Sequence, residues 1–150
     1  MLAPTLSDVR YSIPVKSIEP LSGTLYGVPR WVLAGILWTE TRSQYREDGT
    51  ILYRDRKIGL LGEVGAFQIR PITLREVDRL YGLSWTAREV HRDTRAAEMA
   101  AACYLGYLHR HHASGDWRRA IRMYCTGPYG AWQGSEAARY LAAVEATRTP

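Results

Sequence analysis

Glu40 is the residue whose setting is least in keeping with its type. It closes the stretch Trp31-Val32-Leu33-Ala34-Gly35-Ile36-Leu37-Trp38-Thr39-Glu40-Thr41. Val32, Leu33, Ile36 and Leu37 recur at three- and four-residue spacing and so share one side of a helix. Glu40 lies four residues after Ile36 and three after Leu37, which continues that apolar stripe. A carboxylate there is poorly solvated, so its neutral form is favoured and its pKa rises. A carboxylic acid that keeps its proton near neutral pH can serve as a general acid. The alternative is a Glu at a fraying helix end, turned to water or paired with Arg42. Other acids that could face a cleft are Asp48, Asp55 and Glu63, in the segment that follows.

The elements that must position Glu40 follow from the pattern around it. Pro29 suits a first helical turn, where a missing N–H is no loss. Upstream, Pro4, Pro14 and Pro20 punctuate a lead-in without periodicity over residues 1–27, with a second short helix over about 20–26. Downstream, Asp48-Gly49 marks a turn, and Ile51-Leu52-Tyr53 is β-prone. Arg54-Asp55-Arg56-Lys57 can turn back into Ile58-Gly59-Leu60-Leu61, which predicts a small β-hairpin excursion near residues 50–61. Gly59, Gly62 and Gly65 permit positive φ or a close backbone approach, but their order is not that of a phosphate-binding loop.

The rest reads as helix. Pro71 opens a helix with Leu74, Val77, Leu80 and Tyr81 inward and Gly82 at its end. Ser84 caps a short segment through Val90. Asp93 or Thr94 opens the longest helix, with Ala96, Ala97, Ala100, Cys103, Tyr104, Tyr107 and Leu108 inward. His109, His111 and His112 gather at its end, where the helix dipole favours such side chains, and no acid or Cys lies at ligand spacing, so a metal site is not expected. Asp116 caps a helix with Trp117, Ala120, Ile121 and Tyr124 inward. Ser135 caps the last, with Ala138, Leu141, Ala142 and Glu145 at helical spacing. The fold class is mainly α with one small β element.

The chain has 150 residues, 46% hydrophobic and 23% charged, which suits one domain with a real core. Net charge is +5 and the sequence pI is near 9.4, favouring an anionic partner such as nucleic acid, an acidic membrane surface or bacterial cell wall. The 20 basic residues are scattered, with no base-reading helix face, so nucleic acid is not expected. No stretch approaches a membrane span, so no membrane insertion is expected. Residues 1–15 lack a basic start and a long apolar run, so no secretory signal is visible. Cys103 and Cys125 read as buried small hydrophobes, with a single disulfide as the alternative.

Three stretches, in order, resemble the lytic transglycosylases related to goose-type lysozymes. They are Trp38-Thr39-Glu40-Thr41, then Gly62-Glu63-Val64-Gly65-Ala66-Phe67-Gln68-Ile69-Arg70-Pro71, then Ala120-Ile121-Arg122-Met123-Tyr124-Cys125-Thr126-Gly127-Pro128. In that family a Glu followed by Ser or Thr closes a helix, a Gly-x-x-Gln segment follows, and a Tyr-Asn-x-Gly-Pro-like segment comes later. The likeness covers about residues 28–130 and implies a lysozyme-like domain over 28–150 that cleaves peptidoglycan glycan strands without a cofactor. It makes Glu40 the catalytic acid/base. Thr41, Phe67, Gln68, Ile69, Tyr124 and Tyr129 become the substrate-binding set, with Tyr124 orienting Glu40. Trp38, Tyr53 and Trp132 are further candidates for packing on sugar faces, with the core as the alternative for Trp38 and Phe67. Cys125 departs from the family's Asn and is a poor hydrogen-bonding substitute.

The resemblance leaves two reactions open. A lytic transglycosylase needs one acid and closes a 1,6-anhydro ring. A lysozyme-type hydrolase adds a second carboxylate, for which Glu63 or Asp55 is the candidate. A non-catalytic wall-binding module is the alternative from another class. The size and the missing signal resemble wall-degrading domains acting in the periplasm or cell wall, as monomers or as components of phage particles or secretion machines.

Overall fold

The computed structural model describes residues 24–25 and 27–148. The expected lead-in over residues 1–27 lies almost wholly outside this range. Its expected helix over 20–26 is overturned where it can be seen. Thr24–Leu25 (β1) is a strand, paired antiparallel with Val28–Pro29 (β2). Gly27 supplies the positive φ (78°) between them, a backbone state that favours glycine.

Pro29 stands one position earlier than expected, as the residue before the helix Arg30–Thr41 (α1). The apolar stripe is as read: Val32, Leu33, Ile36 and Leu37 are fully buried. The helix stops at Arg42, which turns left-handed (φ 56°) and returns its N–H to the Trp38 carbonyl. The hairpin is present but displaced from 50–61. Gln44–Tyr45 (β3) pairs antiparallel with Ile51–Leu52 (β4) across the Asp48-Gly49 turn. Ile58, Leu60 and Leu61 are in no strand and stand in solvent, because a tight turn at Gly59 and Gly62 leaves them no ladder to join.

The remaining helices are Pro71–Tyr81 (α2), Ala87–Arg92 (α3), Thr94–His111 (α4), Trp117–Thr126 (α5) and Ser135–Ala146 (α6), with a 3-10 turn at Ala131–Gln133. Among the described residues the protein is thus mainly helical with two minimal antiparallel ribbons. Asp93 and Asp116 cap α4 and α5 through their side chains, as the sequence implies. Two caps shift. Thr86, not Ser84, caps α3 in a reciprocal box with Glu89, and Gly134 precedes α6.

Helix α4 is the axle of the core. Ala96, Ala97, Met99, Ala100, Ala101, Ala102, Leu105 and Leu108 are buried, so it is enclosed on more than one face. Helices α2, α3 and α5 pack on it, and α1 and β2 reach it more lightly. Its small side chains permit these close approaches. Glu98 is buried among them at 2% exposure. The Arg30 guanidinium at the start of α1 stands 3.8 Å from its carboxylate and 3.9 Å above the Tyr45 ring. Burial lifts the Glu98 pKa to about 7 against the opposing pull of Tyr45, Arg30 and Arg95.

Helix α6 closes the domain by packing on both α1 and α5. Its inward residues are Ala137, Leu141 and Val144, whereas Ala138 and Ala142 face solvent, which corrects the expected register. The contact with α1 is tight. A methyl group at Gly35 would come within 2.6 Å of the Val144 side chain and 2.9 Å of its carbonyl oxygen.

Candidate functional site

Helix α1 carries Glu40 out of the core at its last turn, into the wall of an open cleft of about 650 Å³. The cleft runs between residues 63–76, the end of α4, the segment 124–129 and α6. Glu63, Gln68, Tyr104, Tyr107, Tyr124, Tyr129 and Tyr140 line it together with Glu40. Burial raises the Glu40 pKa from its ordinary 4.5 to about 7. The Tyr140 hydrogen bond and Lys57 oppose the rise, and Glu63 adds slightly to it. The carboxyl therefore exchanges its proton near neutrality, as the apolar stripe implies. Arg42 does not pair with it. That guanidinium donates to the Trp38 carbonyl at 3.4 Å and lies over the Trp38 ring.

Among the described residues the side chain that hydrogen-bonds Glu40 is Tyr140, whose hydroxyl donates to Oε2 at 2.7 Å. Tyr124, expected in that role, instead donates to the Phe67 carbonyl at 2.6 Å. It stands near enough that Glu40, after burial, helps to hold its own pKa well above the ordinary tyrosine value. Tyr140 escaped the sequence reading because α6 is alanine-rich, and its apolar spacing did not fix which face turns inward. The spacing of Tyr140 to Leu141 and Val144 is the signal that could have found it.

The Gly-x-x-Gln segment is a tight loop closed by reciprocal bonds between Val64 and Ile69 (3.0 and 2.9 Å). Gly65 takes φ 81° and presses against Val90, where a Cβ would meet the Val90 carbonyl oxygen at 2.6 Å. Gln68, unusually for a residue with a side chain, also takes a positive φ of 49°. Its amide nitrogen donates to the carbonyls of Lys57 (3.0 Å) and Gly65 (3.1 Å), which pins the side chain across the loop.

Several expected substrate contacts turn out to be structural. Phe67 is wholly buried in the core and its carbonyl is taken by Tyr124. Thr41 is also wholly buried: its hydroxyl donates to the Ala66 carbonyl at 2.7 Å and lies 2.8 Å from the Ser43 hydroxyl. It ties α1 to the loop. Ile69 touches the cleft but is almost entirely buried. Tyr129 is 87% exposed on the rim, and Gln68 and Tyr124 stand in the wall. Trp38, Tyr53 and Trp132 do not line the cleft. Arg56 covers the Tyr53 ring, and Trp132 packs on the cluster of Leu108, Ala113, Ala120 and Met123.

Of the three acids, Glu63 alone lines the cleft. Its Oε1 accepts the Leu61 N–H at 2.8 Å, so the carboxylate folds back over its own turn. Asp55 is exposed beside Lys57 (3.9 Å), and Asp48 holds the hairpin turn through Thr50. Cys103 and Cys125 are free thiols. Cys125 does line the cleft, and burial, followed by Glu136 and Glu40, pushes its thiol up to about 11, so it is neutral and unreactive near pH 7. His109 stacks on Trp117, and His112 faces Tyr107 at 3.2 Å.

Comparison with known protein families, curated proteins and solved structures finds no match to this chain.

Proposed function

We propose that this protein is a lysozyme-like glycosidase that cleaves the β-1,4 bond between N-acetylmuramic acid and N-acetylglucosamine in peptidoglycan, leaving 1,6-anhydromuramic ends. The observation that carries the reading is Glu40: a carboxyl with pKa near 7, bonded by Tyr140 at 2.7 Å, in the wall of an open tyrosine-lined cleft. The order of the Glu-Thr, Gly-x-x-Gln and Tyr-x-x-Gly-Pro segments supports it.

In the proposed reaction the Glu40 carboxyl gives its proton to the glycosidic oxygen as the C1–O bond breaks. The resulting carboxylate then takes the proton of the muramic 6-hydroxyl while O6 bonds to C1. The proton account closes on one residue, so no water and no second acid is needed. Tyr140 stabilises the carboxylate between the two steps. Tyr104, Tyr107 and Tyr129 offer faces and hydroxyls to the sugars. The basic surface favours an acidic wall polymer as partner. Action in the periplasm or cell wall, by a monomer or by a component of a phage particle or secretion machine, belongs to the same proposal.

One observation favours hydrolysis as a second reading: Glu63 shares the cleft with Glu40. Its engagement with Leu61 counts against a free general base there. Product analysis decides. Wild-type protein and Glu40→Gln are incubated with purified peptidoglycan and the released muropeptides weighed by mass spectrometry. Anhydro ends from wild type, and almost none from the variant, are expected. Reducing muramic ends select the hydrolase, and binding without release selects a wall-binding module. Equal release by Glu40→Gln overturns the proposal.

A further inference from the structure

Five large apolar side chains stand exposed among the described residues: Ile58 (67%), Leu60 (104%), Leu61 (63%), Ile72 (63%) and Tyr129 (87%). Three of them fall within four consecutive positions, and Ile72 is close by, since Gly62 faces the Pro71 ring. The turn that carries them is built rather than frayed. Gly59 donates to the Glu63 carbonyl at 2.9 Å, Gly62 to the Gly59 carbonyl at 3.0 Å, and Leu61 to the Glu63 carboxylate at 2.8 Å. Such bonding fixes Leu60 and Leu61 outward, away from the core, in a position where water penalises them.

The approach to this tip is cationic. Arg54, Arg56 and Lys57 are exposed, with Asp55 as the acid among them. Ile58, Leu60 and Leu61 do not line the cleft, and the tip itself carries no aromatic ring, so it is poorly suited to sugars. Protein hot spots favour Trp, Tyr and Arg seated in pockets, whereas this is a projecting aliphatic turn. We infer that the tip docks the protein on an anionic lipid bilayer, with Leu60 and Leu61 entering the interfacial layer and Arg54 and Arg56 meeting lipid phosphates. The charge complementarity selects this occupant: aliphatic side chains insert while neighbouring cations hold the acidic surface. The contact is peripheral, and no helix among the described residues is long and apolar enough to cross a membrane. It does not depend on the glycosidase reading, because binding is what the test measures.

The full chain is sedimented with vesicles of phosphatidylglycerol in phosphatidylcholine, and with phosphatidylcholine alone. Partition onto the anionic vesicles, weakened by salt, is expected. Leu60→Ser/Leu61→Ser, checked for an unchanged circular dichroism spectrum, should lose at least about tenfold of it. Arg54→Gln/Arg56→Gln should lose roughly fivefold per charge removed. Absence of partition overturns the inference. So does a leucine double variant that partitions like wild type, since that assigns the attraction to the general basic surface.

Discussion

Replacing Glu40 by Gln keeps the shape of the side chain and removes the transferable proton. Muropeptide release should fall by about 10²- to 10⁴-fold, the usual worth of a positioned acid or base. As the acid must start protonated, wild-type activity should decline as pH rises through about 7, where the carboxyl ionises. Tyr140→Phe removes a bond that lowers this pKa. Its alkaline limb should therefore move to higher pH, while kcat drops by roughly 10- to 100-fold for the lost charge-assisted bond. A pH–rate profile of both proteins reads the two effects separately. Glu40 was legible because a carboxylate on an apolar stripe contradicts local patterning. Its true partner was not, because the phenol arrives from a distant helix whose alanines leave its orientation open. The family likeness pointed to Tyr124, which stands close by but is turned to the loop.

At the scale of elements, the site depends on how tightly helices approach. Gly35→Ala would drive a methyl into Val144 on α6, one turn beyond Tyr140. It should destabilise by about 1–3 kcal/mol, seen in thermal melts, and should also disturb the Glu40–Tyr140 bond and so lower kcat. Gly106→Ala on α4 makes the contrast. There the new methyl meets the far end of the flexible Arg110 side chain, so the variant should gain roughly 0.5–1 kcal/mol from helix propensity. Thr41→Val leaves the Ala66 carbonyl without its donor and should cost about 1–3 kcal/mol. Helix identity was readable from α1 onward, since Asp93, Asp116, Pro71 and Gly82 are local signals, but not at Thr24–Leu25, where a strand stands in place of the expected helix. Register was readable where large apolar residues recur at three- and four-residue spacing, as in α1, and not in the alanine-rich α6. The hairpin strand Gln44–Tyr45 was missed because its two residues carry no alternation of their own.

For the whole molecule, two desolvated carboxyls, one buried and one half-buried, act together on stability. Glu40 and Glu98 bind their protons more tightly in the folded chain, with pKa values near 7 against 4.5. The folded state thus holds more protons between these values, and stability falls as pH rises from about 4.5 through 7. Each contributes on the order of 1–3 kcal/mol. Asp48 and Glu76, whose pKa values are lowered by Thr50 and Arg79 respectively, act in the opposite sense and only in more acidic solution. Melting temperatures should therefore be lower at pH 8 than at pH 5, and Glu40→Gln should narrow that gap. The two groups of the Glu40–Tyr140 bond lie 100 residues apart in sequence. A growing chain carries the acid long before it can be clasped, since the phenol emerges only with α6. On the proposed reaction, the proton donor would thus be tuned late in synthesis: a polypeptide ending before residue 140 carries Glu40 without the phenol that bonds it.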